Sequence, residues 1–293
     1  MAGRVPLQLI CGLILAGIAW PFAWWGPAPV SNYTFFPLWL GYILTVDGLV
    51  WLRAGSSPLT RAPGRFAELF ILSIPLWWAF EVANHFLGNW HYLLPRHYSF
   101  LTYHLLSSLY FSVVIPAILV TAEFYGTTRL RSALTDWIKI TPGRTGLKLI
   151  AAAGFLVLVA SLALPDLLFP LVWIGVFFTV DPINRLRGWP SLAAQVATGR
   201  WSTVVVLFAA GLTCGIFWEM WNFWSMPKWT YQISYADWLK VFEMPLLGYG
   251  GYLPFALEIY SIYFALTGLL GQRRAGLFRF DKPLDKTRSA DPN

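Results

Sequence analysis

"FPLWLGYILTVDGLVWLR", residues 36–53, returns in altered form as "FPLVWIGVFFTVDPINRLR" at 169–187. Thr45, Val46, Asp47, Leu52 and Arg53 recur 134 residues later as Thr179, Val180, Asp181, Leu186 and Arg187. The likeness continues in the same order. GRF at 64–66 returns as GRW at 199–201, Glu81-x-x-Asn84 as Glu219-x-x-Asn222, and NWHY ending at Tyr92 as KWTY ending at Tyr231; Pro116 and Pro254 hold comparable places. The chain therefore reads as an internal duplication of about 135 residues.

The repeated stretch is apolar, and so is the rest. Of 293 residues, 57% are hydrophobic and only 12% charged, with apolar runs too long for a soluble core. Eight spans are expected, near 6–25, 34–52, 67–87, 101–122, 147–164, 167–184, 202–224 and 246–270. The first is expected to be a retained span, being longer than a signal-peptide core and lacking a good cleavage pattern. The fold class is all-α: a polytopic integral membrane protein of about eight transmembrane helices in two parallel four-helix repeats. An even number of crossings per copy inserts both copies in the same direction, about an axis along the membrane normal. Residues 1–125 form the first repeat, 126–148 a cytoplasmic linker, 149–271 the second repeat, and 272–293 a disordered cytoplasmic tail.

With both termini cytoplasmic, eighteen of the 21 Lys and Arg fall inside, and only Arg96, Lys228 and Lys240 fall outside. The asymmetry orients the protein in the inner (plasma) membrane and explains the net charge of +7 without a nucleic-acid partner. Membrane lipids are the expected surroundings; the sequence is silent on oligomeric state.

Glu81 and Asn84, like Glu219 and Asn222, stand three apart on one helical face near the outer end of a span. A carboxylate inside a membrane helix is costly and usually has a partner or a task, so each Glu is either structural or part of a site. Trp90-x-Tyr92 and Trp229-x-Tyr231 follow, with rings suited to a membrane boundary or to lining a site. Glu258 stands about halfway through the last span, four residues after Pro254, and is the most deeply placed acid. Glu243 stands beside Pro245 and ahead of Gly248, Gly250 and Gly251, which permit close backbone approach or a broken helix.

Asp47 and Asp181 are expected to be architectural, pairing with Arg or capping broken backbone. His85, His91, His97 and His104 all belong to the first copy's outer side, and their spacing does not favour a metal. Cys11 and Cys214 lie in apolar stretches and read as packing residues. No nucleotide-binding, hydrolase or zinc-protease motif is present, and no cofactor is expected.

The order E-x-x-N, W-x-Y, F-E-M-P, on helices of a duplicated membrane protein, resembles the small heterodimeric-type lycopene cyclases and the related carotenoid hydratases. The resemblance covers 219–258 and, more faintly, 81–116. The proline-and-glutamate element is reversed here as Glu243-Met244-Pro245, and each copy has four spans rather than about three. The resemblance implies cofactor-free acid catalysis on an apolar isoprenoid, with Glu219, Glu258, Glu81 and Glu243 as candidate catalytic acids. Asn84, Asn222, Trp229, Tyr231, Trp90 and Tyr92 are the candidate substrate-binding residues. Two other classes stay open: a multi-pass transporter, also compatible with parallel repeats and a mid-membrane acid, and a lipid-handling or scaffold protein.

Overall fold

The structure, a computed structural model, describes residues 5–232, 238–271 and 277–283. Nine longer helices carry the fold: α1 (Leu7–Trp25), α2 (Phe35–Ala54), α3 (Pro63–Leu87), α4 (Phe100–Phe111), α5 (Val114–Tyr125), α6 (Arg144–Ala163), α7 (Leu171–Arg187), α8 (Ser202–Phe223) and α9 (Tyr252–Leu269). Among the described residues, seven segments are long and apolar enough to cross a membrane. They are α1, α2, α3, the α4–α5 stretch Phe100–Tyr125, α6, α8, and Leu246–Leu269, which contains α9. The chain is a mostly helical, multi-pass membrane protein.

The eighth span expected at 167–184 does not reach that length. Pro165 and Pro170 interrupt its start, leaving a turn at Pro165–Leu168 and then α7, whose 17 residues extend ~26 Å against a ~30 Å hydrocarbon core. The fourth span bends at Ser112–Val113. There Ser73 of α3 donates to Phe111 O (2.6 Å) and accepts from Ile115 N (3.1 Å), satisfying backbone groups that the break sets free.

Helix α5 is buried from Val114 to Glu123 and forms the centre, flanked by α2, α3, α8 and α9. Helix α1 packs on α2 and α6 on α7 at the periphery. Glycine allows both approaches: a Cβ at Gly41 would stand 2.6 Å from Ala16 N, and one at Gly154 2.6 Å from Thr179 N. The outward faces of α1 and α6 expose Leu13, Ile18, Phe155 and Leu156, as lipid contact requires.

One end of the bundle is basic. Asp47 there accepts from Ser57 Oγ (2.6 Å) and Leu59 N (3.1 Å). Asp181 accepts from Leu192 N and Ala193 N (both 2.8 Å) and Ser261 Oγ (3.1 Å). Both aspartates cap the short helices Pro58–Arg61 and Leu192–Val196 rather than forming ion pairs. The stretch 126–148 is tied to the turn before α8, with Trp201 N donating to Leu134 O and Trp137 N to Gly199 O (both 2.9 Å).

Residues 277–283, part of the expected disordered tail, are folded against this basic end. Leu277, Phe278 and Phe280 are buried, and Glu123 Oε2 accepts from Arg279 N (2.8 Å) and Phe280 N (3.1 Å). Arg61, paired with Glu123 at 2.5 Å, donates to Leu277 O (2.7 Å). Three apolar side chains and a buried ion pair offset the ordering entropy that composition alone predicted would win. The remainder of that tail, 272–276 and 284–293, lies outside the described residues.

At the opposite end, short strands in two antiparallel pairs supplement the helices, one pair joining Lys240–Val241 to Met244–Pro245. β1 (Trp90–Leu93) and β2 (Lys228–Tyr231) pair antiparallel, with Trp90 opposite Tyr231 and Tyr92 opposite Trp229.

Candidate functional site

Gly88, in a left-handed conformation, ends α3 and turns the chain into β1. Asn84 holds that turn: its Nδ2 donates to Trp90 O (2.8 Å), and its Oδ1 accepts from Asn89 N (3.0 Å) and Trp90 N (3.3 Å). Asn222 does the same for β2, donating to Trp229 O (2.7 Å) and accepting from Trp229 N (2.8 Å). Each amide is occupied with strand backbone, so the asparagines expected to bind substrate instead clamp the tryptophan that follows them.

Alternation along the strands then places Trp90, Tyr92, Trp229 and Tyr231 on one face of the ribbon. That face lines a cavity of about 190 Å³. Trp77 of α3, Tyr103 and Tyr110 of α4, Trp173 of α7, Trp218 of α8, and Tyr252 and Phe255 of α9 add further aromatic wall. Stacks and edge contacts lock the rings: Trp90 stacks on Trp173 (6.3 Å) and Trp218 on Tyr252 (6.2 Å), while Phe255 meets Trp77, Trp173 and Trp218 edge-on.

Several polar atoms of this wall are bonded to two carboxyls that do not themselves line the cavity. Glu81 Oε1 accepts from Tyr92 OH (2.6 Å), Trp77 Nε1 (2.8 Å) and Trp90 Nε1 (3.2 Å). Glu219 Oε1 accepts from Tyr231 OH and Tyr252 OH, both at 2.7 Å, and Trp229 Nε1 donates to the Tyr231 oxygen at 2.8 Å. Glu219 is fully buried, and its Oε2 has no partner among the described residues. Burial, reinforced by the neighbouring carboxylates, holds the Tyr92 and Tyr231 phenols well above their ordinary range, so both remain O–H donors.

The other expected acids are placed differently. Glu243 stands outside the cavity wall, paired with cavity-lining Lys228, which also donates to Phe223 O (2.8 Å). Glu258 follows Phe255 by one helical turn of α9, away from the ribbon, fully buried and with neither oxygen partnered among the described residues. It does not line the cavity. No metal-ligand cluster occurs among the described residues, and His104 stacks on Trp78 at 5.1 Å.

Sequence reasoning missed Trp77, Trp173, Tyr252 and Phe255 as members of this wall. Trp77 was within reach, one helical turn before Glu81. Trp173 and Tyr252 come from distant spans and have no local signal. No family model, curated protein or solved structure matches this chain.

Proposed function

We propose that this protein is an isoprenoid-modifying membrane enzyme. In this reading it binds one end group of an apolar, unsaturated chain in the aromatic cavity and protonates a carbon–carbon double bond there. The observation that carries the reading is a cavity walled by aromatic rings and backed by two carboxyls to which several of those rings donate. A cavity of ~150 Å³ accepts a benzene-sized guest, so about 190 Å³ suits one terminal ring or ring precursor, with the rest of the chain in lipid. Rings that donate to carboxylates present electron-rich faces, which stabilise a carbocation.

The chemistry needs no cofactor. A proton adds to one alkene carbon, and the cation at the other is captured either by a neighbouring π bond, closing a ring, or by water. Loss of a proton completes either path. The buried Glu219 and Glu258 and the half-buried Glu81 are the carboxyls available as proton carriers. The resemblance to carotenoid cyclases and hydratases points to the same substrate class.

In this proposal the two halves are duplicated units. The opposed W-x-Y strands, the paired Asn clamps and the paired Asp caps are the features in favour. Eight crossings, with α7 tilted little or thinning the bilayer locally, keep both termini at the basic end, in the cytoplasm of the inner membrane. A reporter fused after Gly271 then reads inside; an outside reading overturns the orientation.

The chemical proposal is tested by lipid and pigment profiling in an isoprenoid-producing host. A product of unchanged mass for cyclisation, or heavier by one water for hydration, is expected with the wild-type chain and lost with Glu219→Gln at equal protein level. No change in any lipid refutes it. The unpartnered Glu258 favours one second reading, a proton-coupled transporter, in which Glu258→Gln abolishes uptake and alters no lipid.

A further inference from the structure

The two halves of the cavity wall are not chemically equivalent. In the first half, both indoles and the phenol donate directly to one atom, Glu81 Oε1. In the second half, Trp229 Nε1 donates to the Tyr231 oxygen at 2.8 Å while also lying near Glu219, and the Tyr231 and Tyr252 phenols donate to Glu219 Oε1. The difference has a packing cause. Trp77 stands four residues before Glu81, and the residue four before Glu219 is Gly215. The ring of Tyr252 lies against Gly215, where a Cβ would come 2.6 Å from ring carbons Cγ and Cε2. Tyr252 therefore fills, in the second half, space of the kind an indole fills in the first.

From this geometry we infer that the cavity has an acid side and a counter-charge side: proton delivery runs from Glu219 through the Tyr231 hydroxyl, and Glu81 is the fixed acceptor opposite. The inference rests on the proposed protonation chemistry and assigns its atoms. Glu219 does not line the cavity and Tyr231 does, so Tyr231 stands between that carboxyl and a bound ligand. When Glu219 holds a proton on Oε1, its 2.7 Å bond to Tyr231 reverses, and the carboxyl donates to the phenol oxygen. The phenol hydrogen is then free to face the cavity. Oε2 is left as a neutral carbonyl oxygen, less costly to bury unpartnered than half of a carboxylate.

The transfer balances. The Tyr231 O–H bond breaks as a C–H bond forms on the alkene, and the Glu219 proton moves to the phenol oxygen in the same step. Glu219 ends as a carboxylate, with Tyr252 and the restored Tyr231 phenol donating to it, and the ligand ends as a cation facing the rings. Trp229 Nε1, 2.8 Å from the Tyr231 oxygen, stabilises the negative charge that passes over it. Glu81, with three donors on one oxygen, has an acceptor's environment behind the first strand's half of the wall. The proton lost from the product returns to Glu219 by the same route.

The test compares Tyr231→Phe with Tyr92→Phe, its counterpart on the other strand, in protein reconstituted in lipid nanodiscs. Binding of an acyclic C40 polyene is read from quenching of tryptophan fluorescence, turnover from product analysis, and the carboxylic C=O stretch from infrared difference spectra. Tyr231→Phe is expected to bind the polyene within about 3-fold of wild type yet lose at least ~100-fold in kcat, the span of general acid catalysis. Tyr92→Phe is expected to lose less than ~10-fold in kcat. The carboxylic band that disappears in Glu219→Gln is expected to shift in Tyr231→Phe and stay in place in Tyr92→Phe. Product formation with equal losses in the two Phe variants, or a Glu219 band indifferent to Tyr231→Phe, overturns the relay while leaving the enzyme reading intact. Absence of both polyene binding and product in the wild type overturns the enzyme reading and the relay with it.

Discussion

Replacing Asn222 with Ala unfastens β2 from the end of α8. The Asn222 side chain, 2% exposed, makes bonds of 2.7 and 2.8 Å to the backbone C=O and N–H of Trp229. At about 1 kcal/mol net for each bond, plus ~1 kcal/mol for leaving the Trp229 groups without that partner, the loss comes to about 3 kcal/mol. That corresponds to roughly a 100-fold rise in local opening at ~1.4 kcal/mol per decade. Hydrogen exchange with mass spectrometry in nanodiscs reads it directly: peptides over 228–231 exchange about 100-fold faster, and those over the centre of α8 stay unchanged. Asn84→Ala at β1 has the smaller effect, about 10-fold, because that site is partly exposed and water can replace the lost bonds. An acceleration below about 3-fold in Asn222→Ala, or one spread evenly along α8, refutes the clamping role.

At the basic end, Glu123→Ala removes the Arg61 pair and the acceptor for two backbone N–H groups. The ~3–5 kcal/mol typical of a broken buried pair releases 277–283, seen as rapid protease cleavage there. Docking of the same segment depends on pH. Burial, and then the nearby Glu123, pushes the Asp281 carboxyl up to about 6, so the docked form holds its proton more tightly than the free segment does. Docking is strongest below about pH 4 and weakens as pH rises through about 6, by roughly tenfold between pH 5 and pH 7. A spin label at Pro283→Cys, in a chain without Cys11 and Cys214, follows this as rising mobility, and Asp281→Asn abolishes the dependence. Asp181→Ala strands two backbone N–H groups and costs about 3 kcal/mol, measured as a lower midpoint in thermal unfolding; wild-type stability sinks the capping role. Gly154→Leu drives side-chain atoms into the α7 backbone at Thr179 and separates α6 from α7, so a disulfide engineered between those helices no longer forms.

The helices and their membrane character were legible in the sequence, because a run of apolar residues long enough to span the hydrocarbon core has few other uses and its backbone bonds are local. The pairing of Glu with Asn was legible too, since a spacing of three on a helix fixes a shared face. Spacing could not tell a ligand-binding amide from one that clamps a strand, because that depends on where the chain goes after Gly88 and after Trp224. Residues 277–283 of the expected disordered tail differ for a similar reason: charge and proline describe the segment by itself, whereas its order comes from Glu123 and Arg61, more than 150 residues earlier.

By its sequence alone, then, this chain determined its solvent, its apolar spans and the surplus of basic residues at one end, all of which follow from local composition against a layer of fixed thickness. Only the tertiary structure decided that the two W-x-Y segments face each other across a ribbon, that Tyr252 occupies the room left by Gly215, and that Glu219 keeps an unpartnered oxygen where Glu81 gathers three donors. Those facts depend on groups brought together from distant spans, and the energies that select them, ring packing and the satisfaction of buried polar atoms, exist only once the spans have met.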